Sequence, residues 1–213
     1  MKNLPQDSIP SLLTKNIPRD LVLAVEDALF AGAKKAYNSV QDVERGHRNS
    51  ALGQMRHFQM NQAFHLALKL GGASPTLLRA NEIVKGQTGI FTLGRFNIRN
   101  GFWENGRRSK TRRKLSELNK IISRVVMPDM FSDYEIPAEA IVFFVACFPA
   151  GNCDAPGSIE LAVPDQDMHG WLFREPLNVF LKRYDEMPTS NQQDLALPKL
   201  KKFPKKQSGD EAV

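Results

Sequence analysis

The sequence predicts an α+β protein with an N-terminal pair of helices, a small, mostly antiparallel sheet of about four strands, an amphipathic basic helix and a C-terminal helix. Three observations lead to this prediction. Apolar residues recur at helical spacing in the first 70 residues, β-branched and aromatic residues dominate from Gly86, and helical spacing returns after residue 107. The chain has 213 residues, 42% of them hydrophobic, so we expect one domain over residues 1–186.

Two amphipathic helices are expected first. Segment 19–44 repeats apolar residues every three or four positions, as from Leu21 to Val25 to Leu29. A second helical pattern covers residues 50–70, and the glycine pair that follows it is a common C-terminal signal. We expect these two helices to pack on each other.

The strand pattern comes next. Segment 88–98 is rich in β-branched and aromatic residues, and the asparagine–glycine pair after it favours a tight turn into a short strand at 102–104. Segment 140–148 is apolar at every position, which is typical of a central strand with both faces buried. Segment 157–165 is expected to return antiparallel to it.

Helical spacing resumes in the second half of the chain. An amphipathic helix with a basic, solvated side is expected over 109–126. Pro128, two residues further on, marks its end. A last helix is expected over 175–186, with Pro176 near its first turn, where proline is tolerated. From residue 187 the chain loses aromatic and β-branched content, so we expect 187–213 to be a disordered, lysine-rich tail.

Composition argues against several classes of protein. The longest apolar run, at 140–148, is far shorter than the roughly 18 residues of a membrane span, and the N-terminus has no secretory h-region. We therefore expect a cytoplasmic protein with no membrane partner. Cys147 and Cys153 are too few for a disulfide framework or a four-ligand zinc site. We expect both to be reduced and no cofactor to be bound.

Positive charge is concentrated in two segments. Residues 107–114 hold six basic side chains and residues 199–206 hold five, with no acid in either. The rest of the chain has 18 basic against 23 acidic residues, a net charge of −5, although the whole chain carries +6. An acidic body with two concentrated cationic segments indicates an anionic partner such as nucleic acid.

The first basic segment is the main candidate site. It begins the predicted amphipathic helix, where the helix dipole disfavours cations and a bound phosphate would resolve the conflict. Trp103, just upstream, offers a surface on which an unpaired base could stack, and the tail from Lys199 to Lys206 would serve as an accessory arm. The predicted phosphate contacts are Arg107, Arg108, Lys110, Arg112, Arg113 and Lys114.

Two other groups of polar residues could form a metal site or line a cleft. Asp165, Asp167 and His169 alternate in a loop after a predicted strand, where they could hold a metal and activate water, although turn formation alone explains such residues. His57 and His65 lie eight residues apart on one helix, about 12 Å along its axis, which is too far for one metal ion. A polar stripe of Arg56, His57 and Asn61 on that helix could instead line a cleft.

Three functions remain open at this stage. The first is binding of nucleic acid or another polyanion through backbone contacts with modest sequence preference. The second is a small metal-dependent phosphodiester-processing enzyme, and the third is a regulatory protein that binds an acidic protein partner. Composition does not separate DNA from RNA and says nothing about the oligomeric state.

Overall fold

A computed structural model describes residues 8–99, 104–122, 138–151 and 153–185. Within these residues six strands form one sheet, in the order of the chain. The pair β3/β4 is parallel and the other four neighbouring pairs are antiparallel. The strands are β1 (Ser74–Pro75), β2 (Gly86–Thr88), β3 (Phe91–Arg99), β4 (Ala140–Phe148), β5 (Ser158–Pro164) and β6 (Trp171–Pro176).

Helices lie on both faces of this sheet. The fold is therefore α+β with a mostly antiparallel sheet, as predicted, but with six strands and not about four. The helices are α1 (Ser8–Asn16), α2 (Arg19–Asn38), α3 (Arg45–Leu70), α4 (Glu104–Arg107), α5 (Lys110–Ser116), α6 (Leu177–Phe180) and α7 (Lys182–Asp185), with a 3₁₀ turn at Glu117–Asn119.

The first three helices cover one face of the sheet. Alternate residues of β4, such as Phe144, join the apolar sides of α2 and α3 in a core of fully buried side chains. The two long helices cross at Gly32, where an added Cβ would lie 3.0 Å from the Cα of Met60. The glycine therefore allows α2 and α3 to approach closely. The predicted packing of these two helices on each other is confirmed.

Residues 104–122, within the connection between β3 and β4, cover the other face. Phe96 and Phe143 pack edge to face with ring centres 5.2 Å apart, in a second core that Leu115 and Leu118 cover. Asn119 is fully buried; its Nδ2 donates to the Ile141 and Pro164 carbonyls at 3.1 and 2.8 Å. Its Oδ1 accepts from the Ile141 amide at 2.8 Å. These bonds fix the position of α5 relative to the sheet.

Several element boundaries differ from those expected. Helix α2 ends at Asn38 and not near 44, because the next amides, of Val40 and Gln41, donate to carbonyls three residues back and not four. Helix α3 then begins at Arg45, five residues early, and ends at Leu70, as the glycine pair predicts. Glu104, expected in a strand, begins a short helix.

Other elements were missed or lie outside the described residues. No sequence pattern predicted α1, β1, β2 or β6, and the expected last helix is two short helices, α6 and α7. The predicted strand at 102–103, the end of the basic helix beyond 122 and the tail 187–213 are not among the described residues.

None of the helices in the described ranges combines the length and apolar character needed to cross a membrane.

Candidate anion-binding surface

Helix α5 and the loop between β5 and β6 face each other across a cleft. This cleft, which we call the basic cleft, has a volume of about 480 Å³. Four of its eight lining residues are basic and two are acidic, so the lining carries a positive charge. The lining residues are Arg107, Lys110, Arg113, Lys114, Glu117, Gln166, Asp167 and His169.

Asp165 organises the loop side of the basic cleft. Its Oδ1 accepts from the amides of Asp167 at 3.0 Å and His169 at 2.8 Å, and its Oδ2 accepts from the Gly170 amide at 2.7 Å. Met168, at a φ of +55°, is fully buried against the second core and anchors the loop. The carboxylate of Asp165 thus serves the turn, which is the ordinary use of aspartate in such loops.

Helix α5 is attached on the opposite side. The hydroxyl of Ser116 lies 2.9 Å from the Gln166 carbonyl and 2.6 Å from the Arg113 carbonyl, and so joins the helix to the loop. At the other end, the Arg112 amide donates to the side chain of the N-cap residue Ser109 at 3.4 Å. Both walls of the basic cleft are therefore held by specific contacts.

Arg112 packs inward. Its guanidinium carbon lies 4.7 Å from the centre of the Phe96 ring, and its Nη1 donates to the Gly106 carbonyl at 3.3 Å. Burial lowers the pKa of Arg112. By contrast, Lys110, Arg113 and Lys114 are exposed, so Arg112 anchors α5 while its neighbours meet the solvent.

Arg107 links two groups of residues that the sequence predicted as separate candidate sites. Its Nη2 lies 3.1 Å from Nδ1 of His169. Because a guanidinium has only donors, the imidazole nitrogen must accept in this contact. The segment 107–114 and the loop residue His169 are thus parts of one surface, although 62 positions separate Arg107 from His169.

The remaining predicted residues have different positions. Arg108 is exposed but does not line the basic cleft. Trp103 and the tail from Lys199 to Lys206 lie outside the described residues. In the described part of the chain no group of three or more His, Cys, Asp or Glu side chains is placed to hold a metal ion. His65, buried on α3, has its Nδ1 3.0 Å from the Thr76 carbonyl.

A second polar cluster surrounds Arg95, which the sequence analysis did not single out. Arg95 donates from Nε to Oδ1 of Asn61 at 2.9 Å, from Nη1 to Oδ1 of Asn97 at 3.0 Å and from Nη2 to the His57 carbonyl at 2.9 Å. Burial, with the nearby Arg112 second, lowers its pKa to about 9. An arginine in the middle of a strand was the available signal, since β3 is buried at most positions around it.

His57 belongs to the same cluster. The Nδ2 of Asn61, whose oxygen is engaged by Arg95, lies 3.2 Å from Nε2 of His57. Burial and then the charges of Arg95 and Arg112 lower the pKa of His57. The imidazole therefore accepts at Nε2 and is neutral at neutral pH. His57 also lines a shallow cleft of about 410 Å³ with Gly53, Gln54, Phe58 and Asn81.

Comparisons of the chain with models of protein families, with curated proteins and with solved structures each give no match.

Proposed function

We propose that this protein binds nucleic acid, or another polyanion, on the basic cleft between α5 and the β5–β6 loop. The observation that supports this most directly is the convergence of four cationic side chains on one opening, with the loop of His169 as its opposite wall. A cleft lined by one predominant sign of charge attracts and concentrates ligands of the other sign.

The arrangement of the cations suits a repeating anion. Lys110, Arg113 and Lys114 occupy positions three and four apart on α5, so their side chains are neighbours on one side of the helix. Arg107 extends this row from the preceding helix. Several adjacent cations can contact successive phosphates of a strand, which gives affinity without reading the sequence of bases.

The phosphate contacts are assigned to side chains. A phosphate bound at the start of the basic helix, as the sequence predicts, would compete there with Ser109, to which the Arg112 amide already donates. Arg112 itself contributes by holding α5 against Phe96. The proposed contacts are therefore Arg107, Lys110, Arg113 and Lys114, with exposed Arg108 at the edge of the surface.

Fluorescence anisotropy with labelled single- and double-stranded DNA and RNA tests the proposal. The test variant changes Arg107, Lys110, Arg113 and Lys114 together to Gln. A matched control removes the same charge elsewhere by changing the exposed Lys34, Lys35, Lys69 and Lys182 to Gln. With about four phosphates neutralised, wild-type affinity should fall by about two decades between 50 and 200 mM salt.

The outcomes distinguish nucleic-acid binding from binding of an acidic protein partner. Salt-sensitive binding that the test variant loses and the control keeps supports the polyanion surface. Absence of binding to every nucleic acid by a folded wild-type sample contradicts the nucleic-acid proposal and favours an acidic protein partner.

A second candidate function, phosphodiester processing, is favoured by the position of Asp167 and His169 beside the cations. An imidazole and a carboxylate at one cleft are residue types that carry general acid–base catalysis. In that case His169→Gln should abolish turnover and leave binding within a factor of about two. Binding without turnover across nucleic-acid substrates would leave the protein a binding module.

A further inference from the structure

Three arginines lie along one face of the parallel pair β3 and β4, with Arg95 in the middle of β3 and Arg56 and Arg99 where the two strands end. Arg95 and Arg99 alternate with Asn97 on the face of β3 that meets α3. From α3, Arg56 stacks on Phe148, with its guanidinium carbon 4.0 Å from the ring centre. Phe148 stands opposite Arg99 in the register of the two strands. Guanidinium groups from a helix and a strand therefore lie at the carboxyl end of the parallel pair.

Among the described residues these arginines donate hydrogen bonds to neutral acceptors. Besides the three bonds of Arg95, Arg99 donates from Nη2 to the Gly151 carbonyl at 3.1 Å and Arg56 donates to the Cys153 carbonyl. Among the described residues no carboxylate pairs with any of the three. The ion pairs found there are Arg19–Asp185, Arg174–Glu160 and Arg183–Glu175.

Of the three arginines, Arg95 holds its positive charge in the most buried position. Arg95 is only 5% exposed, and a charged group so buried is normally paired with an opposite charge. With a pKa of about 9 it stays protonated at neutral pH. Within the part of the chain that the structure describes, this interior positive charge meets only dipoles, and an anion nearby would compensate it.

Arg95 also orients the side chain of Asn97. Because Nη1 of Arg95 donates to Oδ1, the amide oxygen faces the arginine and the two N–H donors of Nδ2 are directed away from it. Exposure increases along the cluster, from buried Arg95 through half-buried Arg56 to exposed Arg99. The end that opens to solvent therefore presents hydrogen-bond donors and positive charge, which are what phosphate oxygens require.

The place in the fold agrees with this chemistry. In open α/β sheets, ligands bind in the crevice outside the carboxyl ends of the parallel strands, and β3 and β4 form such a parallel pair within this mostly antiparallel sheet. The geometry points to a site for a phosphate monoester at the carboxyl ends of β3 and β4, bound by Arg56, Arg99 and the amide of Asn97 and positioned by Arg95. This site is distinct from the basic cleft, since it uses none of its residues. A phosphorylated small molecule and the terminal phosphate of a nucleic-acid strand present the same group.

The test compares two versions of one 12-nucleotide single strand, labelled at the 3′ end and carrying either a 5′-phosphate or a 5′-hydroxyl. Wild-type protein should bind the phosphorylated strand about tenfold more tightly, and adenosine monophosphate or inorganic phosphate should compete and raise Tm. Competition and a Tm shift by the small esters identify a small-molecule site. A preference shown only with the strand identifies a strand-end site.

Two variants and a control separate this site from general electrostatics. Arg99→Gln, at an exposed position, should remove the preference for the 5′-phosphate. Asn97→Asp should also remove it but raise Tm, because the new carboxylate neutralises Arg95 and repels phosphate. Arg45→Gln removes the same charge from an exposed position on α3 and should leave the preference intact.

The inference is wrong if wild type binds both strands equally and neither small ester shifts Tm, or if Arg99→Gln keeps the preference. Its failure is distinguishable from failure of the proposed function. Equal, salt-sensitive binding of both strands would leave the basic cleft supported, whereas binding of the small esters without binding of unphosphorylated strands would support this site alone.

Discussion

Nη2 of Arg107 lies 3.1 Å from Nδ1 of His169, across the basic cleft between α5 and the β5–β6 loop. Arg107 is held at the cleft by this contact, while Arg108, the next residue, is exposed and does not line it. Two adjacent arginines of equal charge therefore differ in position relative to the proposed polyanion site.

This difference predicts unequal effects of two single substitutions. Arg107→Gln should weaken nucleic-acid binding about two- to fivefold at 100 mM salt and reduce the slope of log affinity against log salt by about 0.9, since one phosphate contact is lost. Arg108→Gln should have a smaller effect on both quantities. Anisotropy titrations at several salt concentrations measure them, and equal effects of the two variants would argue against a contact specific to the basic cleft.

Asp165 is expected to act on stability. Asp165→Ala leaves the amides of Asp167, His169 and Gly170 without their acceptor, so we expect the free energy of unfolding to fall by about 1–3 kcal/mol. Urea denaturation measures this change. The matched substitution Asp167→Ala removes an exposed carboxylate that accepts from the side chain of its neighbour Gln166 at 3.4 Å and should change stability by less than about 0.5 kcal/mol. Similar losses in both variants would contradict the structural role of Asp165.

Local sequence patterns predicted much of the fold because those patterns reflect local physics. The glycine pair after Leu70 ends α3, and the fully apolar segment 140–148 is the central strand β4, buried on both faces. The parallel pairing of β3 with β4 was not predicted, since it depends on how the connection packs. Asn119, which fixes that connection to the sheet, has no distinguishing local pattern.

The site was predicted only in part for a similar reason. Charge density along the chain identified segment 107–114, and alternating polar residues identified the loop of His169, but their contact joins residues 62 positions apart. Arg112 shows the converse difficulty. In the sequence it is one of six basic residues, and only packing over Phe96 distinguishes it from its exposed neighbours.

Two glycines of the helical pair should respond oppositely to alanine. At Gly32 an added Cβ would lie 3.0 Å from the Cα of Met60 and 3.1 Å from the Gln59 carbonyl oxygen, so Gly32→Ala should destabilise the protein by about 1–3 kcal/mol. At Gly53 on α3 nothing lies within 4 Å, and Gly53→Ala should stabilise by about 0.5–1 kcal/mol through helix propensity. Urea denaturation of both variants measures the two signs. Destabilisation by both would show that Gly53 is also at a packed position.

His57 should make stability depend on pH. Burial and then the charges of Arg95 and Arg112 hold its pKa in the folded protein below the ordinary value of 6.5. As pH falls through 6.5 the unfolded chain binds a proton that the folded protein does not, so acidification favours unfolding until the folded pKa is passed.

The expected result is a steeper loss of Tm between pH 7.5 and 5.5 for wild type than for His57→Gln, whose side chain does not titrate. The substitution retains the backbone carbonyl that accepts from Arg95, so that bond remains available in the variant. His47→Gln, at an exposed position on the same helix, is the control and should follow the wild-type profile. Parallel profiles for wild type and His57→Gln would mean that the pKa of His57 is the same in the folded and the unfolded protein. In that case the charges of the Arg95 cluster would not lower it.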